Sequence, residues 1–316
     1  GQHAHPPIQH DQTDKRDRGW ELTLNYRGKI GRDIDFQVGG SLSDASAVVT
    51  EYANPTGNNP AGSWYKGRRV GEIWGYRVDG IIQTQAEADQ YNSTYNTSYF
   101  TTKPWEPGDL KFRDLNGDKN INNGKNVLGD MGDVEVIGNT TPRYQYTING
   151  MVSWKGLSLS LMFQGVGKRD WNPAGNIYFW GSGPYAQVTV FKEHLDYWTK
   201  DNPNAYYPRP YINTAGAVGA YSAKTLRHTT DRYLQSAAYC RLKNITLSYI
   251  LPKHWVKKAN LEQVRVFFSG ENLLTFTKLK GMFDPEGVFT QNDYNKEGGK
   301  NYPMNKVVSF GLTVNL

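Results

Sequence analysis

The feature that most constrains the fold of this chain is a period of two in its hydrophobic pattern. From Gly19 to Ile30 every even position is apolar or small, and every odd position is polar or small. A period of two belongs to a β-strand, whereas an amphipathic helix repeats every 3.6 residues. The pattern recurs along the chain, so the sequence predicts amphipathic strands and almost no helix. We expect seven strands, near residues 18–30, 33–44, 142–154, 157–165, 238–251, 262–277 and 304–316.

The joins between the predicted strands alternate in length. Short joins follow the first, third and fifth strands, and long joins cover residues 45–141, 166–237 and 277–302. In an up-and-down antiparallel sheet, this alternation places every long join at the same end of the strands. Short turns at one end, long extracellular loops at the other and half-apolar strands are typical of outer-membrane β-barrels. A soluble β-sandwich with large insertions is the alternative, but its long loops need not share one end.

Composition excludes several other classes of protein. A mean hydropathy of −0.67 and the lack of a long apolar run exclude a helical membrane protein, although not a barrel. The formal charge of +6 is spread along the chain without a long basic run, so we expect no nucleic-acid partner. The single cysteine, Cys240, excludes a disulfide framework and a multi-cysteine metal site.

The predicted strands are too few to close a barrel by themselves. Bacterial single-chain barrels have an even number of strands, from about 8 upward, and an open sheet in lipid leaves unpaired edges. We therefore expect residues 1–316 to form the C-terminal part of a larger antiparallel transmembrane β-barrel. The remaining strands would belong to the N-terminal remainder of the barrel. Outer-membrane lipid would cover the apolar side chains, among them Leu159, Phe310 and Leu312.

A series of motifs, in order along the chain, carries a resemblance to a known family. The motifs are Arg18-Gly-Trp-Glu-Leu-Thr-Leu, Gly75-Tyr-Arg-Val-Asp-Gly-Ile-Ile-Gln, Gly108-Asp-Leu-Lys-Phe-Arg-Asp-Leu-Asn-Gly-Asp, Val136-Ile-Gly-Asn-Thr-Thr-Pro-Arg-Tyr, Tyr239-Cys-Arg-Leu-Lys-Asn-Ile-Thr-Leu-Ser-Tyr, Phe268-Ser-Gly-Glu-Asn-Leu-Leu-Thr-Phe-Thr and Tyr302-Pro-Met-Asn-Lys-Val-Val-Ser-Phe-Gly-Leu. With them the chain resembles the C-terminal part of the SusC/RagA family of TonB-linked outer-membrane transporters of Bacteroidetes.

The resemblance implies a function as well as a fold. It implies a 22-stranded barrel in the Gram-negative outer membrane, with a plug domain upstream of this chain. It implies TonB-dependent uptake of oligosaccharides or peptides, captured together with a SusD-like surface lipoprotein. The TonB–ExbB–ExbD complex would act through the N-terminal part, and neither catalytic residues nor a required cofactor are expected. The alternatives are a surface glycan-binding or adhesive β-protein without transport and, third, a carbohydrate-active enzyme.

Aromatic residues are concentrated in the predicted long loops. Flat rings stack on sugar faces or pack against peptide side chains, and Tyr and Trp are also enriched in protein interfaces. We expect most of these residues to contact the partner lipoprotein and a minority to contact cargo. The candidates are Trp64, Tyr65, Trp74, Trp105, Trp171, Phe179, Trp180, Tyr185, Trp198 and Tyr207.

One acidic loop has the spacing of a calcium site. Oxygen-bearing side chains occupy positions 1, 3, 5 and 7 of a tight loop, which suits Ca²⁺. The four residues are Asp114, Asn116, Asp118 and Asn120. An EF-hand loop has Gly at position 6 and Glu at position 12, where this chain has Lys119 and Lys125. Structural Ca²⁺ is therefore a candidate, and a metal-free turn held by Asx hydrogen bonds is the favoured interpretation.

Two pairs of acidic residues in the predicted long loops are candidates for a hydrolase. Glu193 and Asp196, or Asp284 and Glu286, could imitate the carboxylate pair of a glycosidase. Carboxylates are common in loops rich in aromatic residues, however. The sequence therefore does not favour a catalytic role for them.

Overall fold

The computed structural model describes residues 14–173, 192–211, 223–281, 283–289 and 302–316. The long strands are β1 (Asp14–Ile30), β2 (Ile34–Glu51), β7 (Arg143–Trp154), β8 (Leu157–Lys168), β11 (Tyr239–Ile250), β12 (Gln263–Thr277) and β13 (Val307–Asn315). The short strands are β3 (Glu72–Tyr76), β4 (Val78–Ile81), β5 (Leu110–Phe112), β6 (Val134–Asn139), β9 (Asp170–Trp171) and β10 (Gln235–Ser236). Two α-helices, α1 (Gln85–Thr94) and α2 (Lys253–Val256), and 3₁₀ turns at Lys192–Leu195, Lys257–Ala259 and Gly287–Phe289 complete the elements. Within these ranges, no helix has both the length and the apolar character needed to cross a membrane.

The chain divides into two compact units. The sheet unit contains Gly19–Ala45, Thr141–Trp171 and Gln235–Leu316. The loop unit contains Gly1–Arg18, Ser46–Thr140 and Asn172–Leu234.

The long strands form one sheet in the order β1-β2-β7-β8-β11-β12-β13. Each long strand therefore lies beside the next long strand along the chain, and the pairings from β2 to β13 are antiparallel. The joins after β1, β7 and β11 are short, whereas those after β2, β8 and β12 are long. Short and long joins therefore lie at opposite ends of the strands, as the sequence predicts.

Rows of side chains across this sheet alternate between apolar and polar. One row crosses six strands and is apolar throughout: Phe36, Val152, Leu159, Leu247, Phe268 and Phe310. The adjacent row is polar except for its methionine: Gln37, Met151, Ser160, Thr246, Ser269 and Ser309. Successive residues of a strand point to opposite sides of a sheet. The sheet therefore has an apolar face and a polar face, defined by these two rows.

Strand β11 contains a bulge between Leu242 and Asn244, where the register against both neighbouring strands shifts. Before the bulge, Arg241 lies opposite Gln164 and Thr275, which places it on the polar face. An extra residue in one strand re-aims the side chains next to it. The bulge lets Arg241 and Asn244 share the polar face, although unbroken alternation would separate them.

The loop unit has its own secondary structure and core. Strands β3 and β6 form one small sheet, and β4 and β5 form another. Trp105 is fully buried and donates from Nε1 to the carbonyl of Leu110, at 2.9 Å. A fully buried ion pair joins Lys224 Nζ to Asp109 Oδ2, at 2.8 Å. Ile82, Leu110 and Phe112 are buried as well, so part of the stretch between β2 and β7 packs as a folded body.

This folded body departs from two expectations. The sequence predicts almost no helix, but α1 lies within the predicted loop over residues 45–141. Thr84 caps α1 by accepting from the N–H of Glu87, at 3.2 Å, and Glu87 in turn accepts from the N–H of Gln83, at 2.8 Å. The Thr-x-x-Glu signature of a capping box is visible in the sequence, although Glu87 accepts here from the residue before the N-cap rather than from Thr84 itself. In addition, β2 continues to Glu51, beyond the predicted loop start at residue 45.

Candidate functional site

The apolar face of the sheet is exposed. The exposed fraction is 41% for Val152, 42% for Leu247 and 80% for Phe310, all in the apolar row defined above. Monomeric soluble proteins rarely expose contiguous apolar surface of this kind, and such surface marks contact with a membrane or a partner. The apolar face therefore requires an apolar environment.

The polar face carries mostly uncharged hydrogen-bonding groups. Another row toward the long joins continues this character: Ser41, Thr147, Gln164, Arg241 and Thr275. The hydroxyls of Ser153 and Ser158 hydrogen-bond to each other at 2.8 Å, so side chains on this face also connect β7 to β8. Hydroxyl and amide side chains suit contact with water or with an uncharged polar solute.

A buried ion network lies on the polar face around Arg241, which is 2% exposed. Its guanidinium donates from Nη2 to Asp284 Oδ2 at 2.7 Å, and from Nη1 to Glu286 Oε1 at 2.8 Å. Its Nε donates to the hydroxyl of Thr275 at 2.9 Å, and Lys243 Nζ lies 2.8 Å from Glu286 Oε2. Both carboxylates are thus engaged by cations, which argues against a glycosidase pair.

The carboxylate of Asp284 is held in its charged form. Burial acts to raise its pKa, but donors around it outweigh this effect. They are the backbone N–H of Glu286, the guanidinium of Arg241 and the backbone N–H of Met304. The pKa of Asp284 therefore lies below its ordinary value, and the network keeps its charges at neutral pH.

The structure separates the aromatic candidates into two groups. Those that are buried are Tyr65, Trp105, Trp171, Trp198 and Tyr207, and those that are half-buried are Trp64 and Trp74. Phe179, Trp180 and Tyr185 lie outside the described residues. Buried rings pack within the chain and have almost no surface to offer. Among the candidates that the structure describes, only Trp64 and Trp74 therefore stay predicted contacts for a partner or cargo.

Trp64 has a cationic environment. The ammonium of Lys15 lies 4.5 Å from the centre of its ring, and the guanidinium carbon of Arg68 lies 5.1 Å from it. These distances are those of cation–π contacts. Trp64 therefore presents a partly exposed ring whose position two cations stabilise.

The loop from Asp114 to Asn120 is an Asx-stabilised turn. Asp114 accepts from the N–H groups of Gly117 and Lys119, at 2.7 and 3.0 Å. Asp118 accepts from the N–H of Asn120 at 2.6 Å, and its own N–H donates to Asn116 Oδ1 at 3.0 Å. These bonds supply partners to the carboxylates without a cation. Calcium binding stays a prediction, and chelation tests it.

Asp133 is the residue of this loop region that the sequence pattern did not include among the ligands. It is fully buried and accepts from the N–H of Leu115 at 2.7 Å and of Asn122 at 2.9 Å. Burial raises its pKa, and the nearby charges of Asp114 and Asp118 act in the same direction. Residues 121–132 separate Asp133 in sequence from the turn between Asp114 and Asn120 that it supports. Among the described residues, no group of three or more His, Cys, Asp or Glu side chains is arranged to hold a metal ion.

Comparison with known proteins gives sequence relatives for most of the chain. No protein-family model matches it. It is 29% identical over 257 residues to TonB-dependent receptor P3 of Formosa agariphila, covering 79% of this chain and 22% of the relative. It is 28% identical over 301 residues to TonB-dependent receptor P26 of the same organism, covering 93% of this chain and 27% of the relative. The chain thus spans about a quarter of the length of these relatives.

Solved structures match the fold over nearly all of the chain. The RagAB peptide transporter matches with a TM-score of 0.61 and 21% identity, covering 95% of this chain and 29% of the matched chain. The RagAB peptide importer in the open-open state matches with a TM-score of 0.62 and 20% identity, covering 96% and 29%. These matches confirm the predicted fold class, an antiparallel all-β arrangement that forms part of a barrel. The resemblance drawn from the motifs is confirmed as well: the chain is similar in sequence to TonB-dependent receptors, which are not enzymes, and similar in fold to the RagAB peptide transporter.

Proposed function

We propose that this chain forms part of the barrel wall of an outer-membrane, TonB-dependent importer. The observation that carries the proposal is the alternation of apolar and polar rows across six strands of the sheet. An apolar face outside and a polar face inside is the arrangement of a transmembrane barrel. Lipid then covers the exposed apolar side chains, and the polar face lines the interior.

The cargo that we propose is an oligosaccharide, with a peptide as the second candidate. Hydroxyl and amide side chains on the polar face support the first, because they hydrogen-bond to uncharged polar solutes. The fold shared with a structure named as a peptide transporter supports the second. In either case we propose capture with a SusD-like surface lipoprotein, and energy from TonB–ExbB–ExbD acting through the N-terminal part of the full-length protein.

Membrane partition tests the barrel directly. The full-length protein is expected in the outer-membrane fraction, extractable only with detergent. It should migrate differently in gels with and without heating, because a closed barrel resists unfolding by detergent. A protein recovered in the aqueous fraction, with the same mobility before and after heating, would contradict the proposal.

Dependence on TonB separates import from surface binding alone. A strain that carries the transporter should accumulate a radiolabelled oligosaccharide or peptide pool, and deletion of the transporter or of TonB should abolish the accumulation. An adhesive or glycan-binding surface protein would bind the same pool whether or not the strain has TonB. Binding that persists without TonB-dependent accumulation would favour this alternative.

A further inference from the structure

A short segment after β12 is fastened to the polar face of the sheet. We name residues 279–281 and 283–289 the clamped segment. Its apolar side chains Leu279, Phe283 and Val288 are buried. The ring of Phe283 meets that of Trp171 edge to face, with 4.8 Å between the ring centres. The segment therefore packs on the sheet unit instead of extending into solvent.

The ion network around Arg241 is the fastening. Arg241 belongs to the polar face, whereas Asp284 and Glu286 belong to the clamped segment, so each ion pair joins the segment to the wall. The side chains of Arg241 and Asp284 are 3% and 6% exposed. Buried polar groups that are fully paired fix one arrangement, because any other arrangement leaves a buried charge without a partner.

The ion network around Arg241 lies near one end of the strands. Arg241 lies near the start of β11, and its partner Thr275 lies near the end of β12. Both lie at the end of the sheet where the long joins are. In a membrane barrel the polar face lines the interior.

We propose that the clamped segment narrows the passage inside the barrel at its long-join end, and that Arg241 is the residue that positions it. The proposal rests on the barrel function proposed above. Release of Arg241 then frees the segment from the wall and widens the passage, while the strands keep their pairing.

Hydrogen exchange of the purified full-length protein in detergent tests the positioning. In Arg241→Gln, peptides that cover the clamped segment should exchange at least tenfold faster than in the unchanged protein, and Arg241→Lys should give an intermediate rate. The control is Lys155→Gln, which removes an exposed ion pair with Asp33 at the short-join end. Equal exchange of the clamped segment in Arg241→Gln and the control would overturn the role of Arg241.

Size-dependent cysteine labelling of intact cells tests the narrowing. In a Cys240→Ser background, Thr246→Cys places a thiol on the polar face, beyond Arg241 from the long-join end. A small membrane-impermeant maleimide and a polyethylene-glycol maleimide are added outside the cells, and their labelling rates are compared. Arg241→Gln should raise the ratio of the large-reagent rate to the small-reagent rate at least fivefold. An unchanged ratio, or no labelling by either reagent, would overturn the narrowing.

A second cysteine separates failure of this proposal from failure of the proposed function. Leu247→Cys places the thiol on the apolar face, where lipid should shield it from both reagents. Labelling of Leu247→Cys at the same measurable rate as Thr246→Cys would contradict the barrel itself. A shielded Leu247→Cys with an unchanged size ratio at Thr246→Cys would leave the barrel intact and overturn only the clamp.

Discussion

At the scale of single residues, the fold keeps the imidazole of His228 uncharged. His228 lies among the rings of Phe100, Tyr76 and Phe112, with ring centres 4.5, 5.7 and 6.3 Å from its own. Its Nε2 atom is buried and has no hydrogen-bond partner among the described residues. Burial, together with the charge of Arg227, lowers its pKa to about 4. A neutral imidazole is thus part of an aromatic cluster in the loop unit.

The first prediction concerns acid stability of the loop unit. The pKa of His228 rises from about 4 in the folded protein to 6.5 in the unfolded chain, so the unfolded chain binds the proton first. Stability is therefore unaffected above pH 6.5 and is lost as the pH falls from 6.5 toward 4. At pH 5 the loss is about 2 kcal/mol. His228→Phe should remove it, which urea unfolding of the full-length protein at pH 7.5 and pH 5 measures.

The control for this prediction is His254→Phe, which changes an exposed imidazole on α2. It should leave the difference between pH 7.5 and pH 5 as large as in the unchanged protein. The same difference in His228→Phe and the unchanged protein would contradict the assignment.

The second prediction concerns the turn at Asp114. Asp114 accepts two backbone N–H groups, and each such hydrogen bond contributes about 0.5–1.5 kcal/mol. Asp114→Ala should therefore open the turn roughly tenfold more often and speed tryptic cleavage after Lys119 by a similar factor. Chelation by EDTA should leave the rate of the unchanged protein as it was. The exposed Asp89→Ala on α1 serves as the control. Cleavage that EDTA accelerates to the rate of Asp114→Ala would instead establish calcium as the stabilising group.

At the scale of secondary structure, the long strands were predictable and the short elements were not. Each predicted strand overlaps a long strand of the sheet, because side chains that alternate between an apolar and a polar face leave a period of two in the sequence. β3 to β6 depend on partners distant in sequence, and their short runs carry no period of their own. The Thr84-x-x-Glu87 signature at the start of α1 was a local signal available there, but the helix lacks an apolar stripe long enough to stand out.

The ion network escaped prediction for a related reason. Arg241 interrupts an apolar pattern, which marks it as unusual, but its acidic partners lie far along the chain. Only the bulge at Lys243 and the return of the chain after β12 bring these charges together. The buried and exposed aromatic candidates could not be told apart for the same reason. The local sequence around a loop Trp does not show whether the folded loop buries that Trp or exposes it.

The third prediction compares neighbouring residues on opposite faces of β8. Leu159 lies in the apolar row and Ser160 in the polar row. Leu159→Lys should cost about 2–4 kcal/mol near the membrane midplane, because the charge then lies in lipid. Ser160→Lys should cost much less, because Ser160 lies beside Thr246 and Met151 on the polar face, which lines the interior in the proposed barrel. Refolding of the full-length protein into lipid vesicles over a urea series measures both changes. Equal costs for the two substitutions would contradict the assignment of the faces.

At the scale of the whole molecule, the two outer strands of the sheet need further strands to pair with. Within the described residues, β1 and β13 each pair with one other strand, so each has a second edge available. Hydrocarbon offers no hydrogen bonds to an unpaired strand edge. The chain covers about a quarter of its TonB-dependent receptor relatives, which leaves ample chain in such proteins to complete a barrel.

The last prediction tests this dependence through β13. Its removal leaves without partners those backbone groups of β12, between Gln263 and Glu271, that bond to β13, while those that bond to β11 keep theirs. Each unsatisfied group in lipid costs several kcal/mol. Deletion of Val307–Asn315 from the full-length protein should therefore abolish its presence in the outer membrane, measured by surface biotinylation and fractionation. The control is a variant in which the residues of β13 are permuted among positions on the same face of the strand. This variant keeps the backbone pairing and the apolar face, so it should assemble normally. Normal surface abundance of the deletion variant would show that β12 does not need this partner.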